Sequence, residues 1–439
     1  MNRRLLMGIL AIVATLAPSA GLTAHFEAAA DAATPTAASS STGNALIGVF
    51  PSHNWSTVDT TNGGLAGAFA PADLGAPGSG ATSYLNAMNA WQGKPNTLID
   101  FYDGIDGNMF KSWAPIIWDT YHAVPFVSMD TDTTNAAVAG GADDGSIDYF
   151  VSELKTWISG AADVYGDSQS THRRIYIRLD WEANASWYTW GALNGATSST
   201  TCAQLQQAES DYVAMWRHVH DRVMAGGFTS NEVAWVFSVN QLDITPAWPQ
   251  LENCGAASDV TRSIYPGDAY VDWAGIDGYA FCTDDTPTPT MSPAQVFDPM
   301  VNEFKSFTTK PISIDEVGVS TASTIQTSNY VTKNLCSTAA VKGQWLADYL
   351  TYLQTAGIKM SLWFNSDIYE NTEPIDWAVF ALAGPQDIVG NGDSTYPDST
   401  PGLSYNTYSE YPAGLASSYF LTPDPHNNQV LTDSQFLGQ

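Results

Sequence analysis

The stretch Ile175-Tyr-Ile-Arg-Leu-Asp-Trp-Glu-Ala-Asn-Ala-Ser-Trp-Tyr-Thr-Trp190 decides how this chain is read. Ile175, Ile177 and Leu179 alternate with Tyr176, Arg178, Asp180 and Glu182. Successive side chains of a β-strand point to opposite faces, so one face here is apolar and suited to packing under helices. The other carries an arginine and two carboxylates, which an ordinary core does not accept unpaired. Such a strand belongs where a sheet ends at a chemical site. Trp187, Tyr188 and Trp190 follow at once and offer flat surfaces for stacking.

Working outward, the pattern predicts eight short strands: Ala45–Phe50, Leu98–Tyr102, Ala123–Met129, Arg174–Leu179, Val233–Val239, Asp272–Tyr279, Pro311–Val317 and Met360–Phe364. Helical periodicity lies between most of them, clearest in Gln204–Ala225, and also in Tyr84–Trp91, Ile147–Ala161, Ser292–Phe307 and Lys342–Ala356. No long helix is expected between the fifth and sixth strands. Alternating strands and helices imply a parallel sheet. Eight repeats predict an α/β fold, a single (β/α)8 TIM barrel with long loops over residues 45–384. Residues 34–44 read as a flexible linker, and 385–439 as a loop-rich extension packed on the barrel or partly disordered.

In such barrels the chemistry sits at the C-terminal strand ends. Asp100, Asp130, Glu182, Asp277, Glu316 and Asp367 all occupy that place, so position alone does not choose among them. Glu316 closes a second apolar strand, Lys310-Pro-Ile-Ser-Ile-Asp-Glu-Val-Gly318, with Asp315 as its neighbour and competitor. Two carboxylates on separate strand ends, ringed by aromatics, point to glycoside hydrolysis. His53, in Phe50-Pro-Ser-His-Asn-Trp55, either faces the cleft or is an ordinary loop histidine.

Composition narrows the partners. The 439 residues hold 16 Lys+Arg against 45 Asp+Glu, a formal net charge of -29 at pH 7. So acidic a chain repels nucleic acid and anionic membranes. A neutral substrate is compatible with it, and the protein is expected to act as a monomer. Arg3 and Arg4, followed by the apolar run Leu5–Ala17 and small residues to Ala33, read as a secretion signal over residues 1–33. The four cysteines, Cys202, Cys254, Cys282 and Cys336, favour disulfides in an exported chain. Neighbouring strand-end loops would be stapled most easily, giving Cys202–Cys254 and Cys282–Cys336. No C-x-x-C spacing suggests zinc. Asp103-Gly-Ile-Asp-Gly-Asn108 lacks the full spacing of a calcium loop. No metal and no cofactor is expected.

Four segments resemble glycoside hydrolase family 26, the β-mannanase family within the retaining clan of (β/α)8 hydrolases. They are Arg178-x-x-x-Glu182-x-Asn184-x-x-Trp187-x-x-Trp190, Tyr265-Pro-Gly-Asp-Ala-Tyr-Val-Asp-Trp-Ala-Gly-Ile-Asp-Gly-Tyr279, Lys310 to Gly318, and Leu362-Trp-Phe-Asn365. The second is the most specific. The resemblance implies that Glu182 is the general acid/base and Glu316 the nucleophile, with Tyr279 bonded to the nucleophile. It also implies that Arg178 lies beneath the two carboxylates and keeps one ionised. Trp187, Trp190 and Trp363 would be sugar platforms, and Asn184 and Trp181 would line the substrate site. The family usually has His where this chain has Trp181. Indole donates one hydrogen bond and accepts none, so recognition at the cleaved sugar is expected to differ.

The resemblance implies a secreted endo-acting enzyme that cleaves β-1,4-mannan by double displacement, with carboxyl groups about 5–5.5 Å apart. Mixed-linkage β-glucan, β-1,3-xylan and a self-produced exopolysaccharide are the alternative substrates. A catalytically silent polysaccharide-binding barrel is the non-enzymatic alternative.

Overall fold

The computed structural model describes residues 45–51, 84–111, 113–131, 133–160, 173–241, 248–280, 291–320, 339–365, 367–370, 373–382, 392–397, 404–422 and 431–439. The expected signal and linker, His53, Cys282 and Cys336 lie outside these residues.

Eight parallel strands close into a barrel in sequence order: β1 (Leu46–Pro51), β2 (Leu98–Gly104), β3 (Val124–Asp130), β4 (Ile175–Leu179), β5 (Val233–Asn240), β6 (Trp273–Ala280), β7 (Ile312–Val319) and β8 (Met360–Asn365). β8 pairs back onto β1 from Leu46–Met360 to Pro51–Asn365, so no strand edge is left open. This is the (β/α)8 barrel the periodicity predicts.

Helices cover the strands: α1 (Tyr84–Gln92), α2 (Trp113–Tyr121), α3 (Asn135–Ala139), α4 (Asp144–Ser159), α5 (Cys202–Met224), α6 (Val260–Ser263), α7 (Pro293–Phe307) and α8 (Ala339–Ala356). Reciprocal caps start α5 and α7. Thr201 and Gln204 exchange side-chain and backbone bonds, as do Ser292 and Gln295. Sequence periodicity missed α2 and α3. Pro115 in the first turn of α2 reads as a breaker, although it is tolerated there. A five-residue helix such as α3 is too short to show a period. Among the described residues between β5 and β6 the regular pieces are the short helical turns Gly255–Ser258 and α6. No described helix is long and apolar enough to cross a membrane.

Cys202 and Cys254 form a disulfide that ties the start of α5 to the loop after β5. Beyond β8, the strands Asp367–Glu370 and Glu373–Asp376 (β9 and β10) pair antiparallel. Phe380–Leu382, Ser394–Pro397 and Ser404–Thr407 (β11 to β13) form a small sheet. Two helices follow, α9 (Glu410–Leu415) and α10 (Asp433–Phe436).

Where described, the C-terminal extension packs on the barrel. Ala45 bridges to Phe420, and Tyr419 Oη donates to the Ile358 carbonyl at 2.6 Å. Buried Phe436 packs on Tyr176, ring centroids 4.5 Å apart, and its carbonyl accepts from Tyr176 Oη and Trp273 Nε1. Arg174 is bonded to Asp433. The tail thus closes the N-terminal mouth of the barrel.

A break in pairing on β7 shapes the site. Ile314 pairs with Ile276, but Asp277 pairs with Glu316, leaving Asp315 as the extra residue. The β7–β8 register shifts over the same stretch. A bulge of this kind breaks the alternation and re-aims a side chain. Asp315 lies against Gly275, where any Cβ would come within 1.7 Å of Asp315 Oδ2, so only glycine fits beside the bulge. Asp315 and Glu316 are both buried here, which is why strand parity could not rank them.

Candidate active site

Arg178 is fully buried and bonds to four other side chains. Nε donates to Ser128 Oγ (2.9 Å), Nη1 to Asp277 Oδ1 (2.9 Å), and Nη2 to Tyr102 Oη (3.0 Å) and Glu316 Oε1 (2.6 Å). These partners stand on β3, β6, β2 and β7, so the guanidinium lies inside the barrel. Ser128 Oγ in turn donates a hydrogen bond to Asp100 Oδ1 at 2.9 Å. One cation thus underlies a group of buried carboxyls. Burial pushes Asp100 and Asp277 well above the usual carboxylate range, with Arg178 opposing.

Glu316 accepts three hydrogen bonds. Tyr279 Oη donates to Oε2 at 2.5 Å, while Tyr102 Oη (2.5 Å) and Arg178 Nη2 (2.6 Å) both donate to Oε1. Tyr279 is fastened in turn by Gln241, whose amide donates to the Tyr279 carbonyl at 3.0 Å and whose oxygen accepts from the Tyr279 N–H.

Glu182 stands just past β4 with φ +52, and Asp180 has φ +43. Two left-handed non-glycine residues end the alternation that the sequence suggested. Asp180 therefore does not join Arg178 and Glu182. Its carboxyl accepts from Thr131 N and Oγ1, both at 2.9 Å. The Glu182 N–H donates to the Ser238 carbonyl at 3.0 Å, which anchors the turn to β5. Glu182 Oε1 accepts from Asn240 Nδ2 (2.7 Å) and Oε2 from Trp187 Nε1 (2.8 Å). Burial and the charge of Glu316 push its carboxyl up to about 7. A carboxyl in that range holds a proton it can give away near neutral pH.

Glu316, Arg178 and Tyr279 share one set of hydrogen bonds, and Glu182 with half-buried Trp187 and Asn240 forms a second set, near enough for the charge of Glu316 to act on Glu182. Other expected residues lie elsewhere. Trp190 is 1% exposed, stacks on Tyr188 at 4.5 Å and 8°, and spends its N–H on the Trp181 carbonyl. Trp181 is as deeply buried and donates to Tyr188 Oη at 3.2 Å. Trp363 is buried on the helix side of β8 against Tyr349 and Tyr411. None of these three indoles is open to a sugar. Asn184 is spent on a two-point clamp, Nδ2 to the Asn240 carbonyl (3.0 Å) and Oδ1 from the Asn240 N–H (2.8 Å). It positions Asn240, and through it Glu182, rather than facing substrate.

Sequence reading missed Tyr102, Asn240, Gln241, Phe364 and Trp377. Phe364, not Trp363, is the β8 residue facing the site. Its ring stacks on Phe50 at 4.8 Å and meets Tyr279 at 5.9 Å. Trp377 packs on Tyr279 at 4.8 Å. Tyr102 and Asn240 sit at the C-terminal ends of β2 and β5, which is the one signal that could have found them.

The second resembling segment mostly builds structure. Gly267 has φ +104, which glycine tolerates, and the Pro266 carbonyl accepts from Arg217. Asp277 and Tyr279 are its members bonded within the network.

The chain is thus a closed α/β barrel with two buried glutamates at the C-terminal ends of β4 and β7, one of them bonded to a buried arginine. Residues 126–331 match the family described as Glycosyl hydrolase family 26. Endoglucanase H of Acetivibrio thermocellus is 29% identical over 248 residues, which cover 54% of this chain and 23% of that protein's own length.

Two similar solved structures are β-mannanases by their descriptions. The catalytic domain of the Bacillus sp. JAMB-750 family 26 endo-β-1,4-mannanase is 17% identical, TM-score 0.49, covering 87% of each chain. BoMan26A of Bacteroides ovatus is 14% identical, TM-score 0.48, covering 87% of this chain and 90% of that one.

Proposed function

We propose that this chain is an exported, endo-acting hydrolase of a neutral β-linked polysaccharide, working by double displacement. The observation that carries the reading is the contrast between two glutamates around one guanidinium. Glu316 is enclosed by three donors, which suits an ionised carboxylate, an acceptor only. Glu182 is buried and pushed up to about 7, which suits a proton donor.

Glu182 gives its proton to the glycosidic oxygen while Glu316 attacks the anomeric carbon and the glycosidic bond breaks. Glu182, now ionised, takes a proton from water, which releases the sugar from Glu316 with retained configuration. Half-buried Trp187 supports one sugar face by stacking. The apolar run behind Arg3 and Arg4 suits export to where such a polymer is met.

β-1,4-Mannan is the first polymer to test, on the family resemblance. Mixed-linkage β-glucan is the second, favoured by the name of the endoglucanase relative. The test is reducing-end release from galactomannan, glucomannan, lichenan, β-1,3-xylan and host exopolysaccharide, with proton NMR of the first anomer formed. Cleavage of one polymer with retention, lost in Glu182→Gln and Glu316→Ala, is the expected result. Binding without cleavage by folded protein would replace the enzyme reading with a polysaccharide-binding barrel.

A further inference from the structure

The oxygens of Glu316 are not equivalent. A carboxylate offers about two acceptor sites on each oxygen. Oε1 receives both Arg178 Nη2 and Tyr102 Oη, while Oε2 receives Tyr279 Oη alone. Oε1 is filled and Oε2 keeps one lone pair. Tyr102 is also held in place. Phe50 packs edge-on against its ring at 4.9 Å and 88°, and Trp181 at 5.1 Å and 67°. Arg178 donates to the same Tyr102 oxygen at 3.0 Å, which leaves its proton directed at Glu316. Burial and the charge of Glu316 raise the Tyr102 hydroxyl well above its ordinary range, so it remains a donor at any working pH.

We infer that Tyr102 is a positioning residue that fills Oε1 of Glu316, so that Oε2 is the attacking oxygen, and that Trp181 serves the reaction by holding Tyr102 rather than by touching sugar. The inference rests on the double-displacement reading above. In the first half-reaction the Oε2–C1 bond forms and the C1–O bond to the leaving sugar breaks, with the Glu182 proton going to that sugar. In the second, water attacks C1, its proton passes to Glu182, and the Oε2–C1 electron pair returns to Glu316. Negative charge then spreads back onto Oε1, where Tyr102 and Arg178 wait. A donor that meets returning charge speeds departure of the carboxylate more than its attack.

The test uses the full chain, 2,4-dinitrophenyl β-cellobioside and β-mannobioside, and stopped-flow release of dinitrophenolate. In Tyr102→Phe, breakdown of the glycosyl-enzyme becomes the slow step. A burst appears and kcat falls about 10- to 100-fold. KM falls with it, and kcat/KM changes by less than about fivefold. Trp181→Phe keeps a ring beside Tyr102 and loses less kcat than Trp181→Ala. Trp181→Ala reproduces the Tyr102→Phe pattern, and the double variant is no slower than Tyr102→Phe alone.

Tyr102→Phe with kcat within twofold of wild type overturns the inference. So does a loss of kcat/KM equal to the loss of kcat with no burst. Those results, with an active wild type, leave the glycosidase reading standing. A folded wild type that turns over neither these glycosides nor any polymer removes that reading and the inference together.

Discussion

Trp187 Nε1 donates to Glu182 Oε2 at 2.8 Å. The indole proposed as a sugar platform is therefore also a hydrogen-bond partner of the proposed proton donor. On the proposed mechanism, binding and acidity would be coupled through this one side chain.

That bond favours the ionised form of Glu182, against the larger opposing effects of burial and Glu316. Catalysis needs the protonated form, so kcat/KM should fall as pH rises past about 7. Trp187→Phe keeps a stacking ring but removes the donor. The Glu182 carboxyl then rises further, and the basic limb of the kcat/KM profile moves up by about 0.5–1 pH unit. An unmoved limb would show that the bond does not govern the acid.

Asn184 acts two steps from the proton, through the Asn240 backbone and then Asn240 Nδ2 on Glu182 Oε1. Asn184→Ala should lower polymer hydrolysis about 10-fold or more by misplacing the acid. Hydrolysis of dinitrophenyl glycosides, whose leaving group needs no proton, should stay near wild type. Equal loss on both substrates would point to damage beyond Glu182.

Asp180 should make stability depend on pH. Burial pushes its carboxyl up to about 8, against an ordinary 3.8. Between those values the folded chain holds a proton that the unfolded chain has released. The contribution is whole below about pH 4 and is lost as pH rises through about 8. Asp180→Asn can keep both Thr131 bonds, because a hydroxyl can reverse its role. The variant should match wild type near pH 4 and exceed it by on the order of 3–5 kcal/mol above pH 8, measured by urea unfolding. A gap that does not grow with pH would refute the assignment.

Phe436 sits at the mouth opposite the carboxyls, against Tyr176 and Arg174. Phe436→Ala should cost about 3–5 kcal/mol of stability. The kcat of the remaining folded protein should be unchanged, since none of the site's hydrogen bonds involves it. A fall in kcat per folded molecule would mean that the plug communicates with the site.

The barrel was legible because each strand is an apolar run bounded by breaks, and helical periods fill the gaps. That Arg178 and Glu316 meet in the interior was foreshadowed because charge inside such runs has few explanations. Trp363 was misassigned, and the reason is physical. Both faces of a barrel strand are buried, so Leu362, Trp363 and Phe364 carry no polarity that says which points inward. Only the neighbours of Trp363, Tyr349 and Tyr411, place it under the helices. Asp180 was grouped with Glu182 because alternation was extended past Leu179, where two positive φ angles end it.

The sequence by itself determined the strand order and the class of fold, because those depend on local periodicity, and it offered six strand-end carboxylates from which only the family resemblance singled out Glu182 and Glu316. Only the tertiary structure decided which groups surround the pair. Tyr102, Asn240 and Gln241 come from β2 and from the end of β5, far along the chain from Glu182 and Glu316. Barrel closure brings them within hydrogen-bond distance, and the bulge at Asp315 sets the register that turns Glu316 toward them. Contacts of that kind leave no mark in the spacing of residues along the chain.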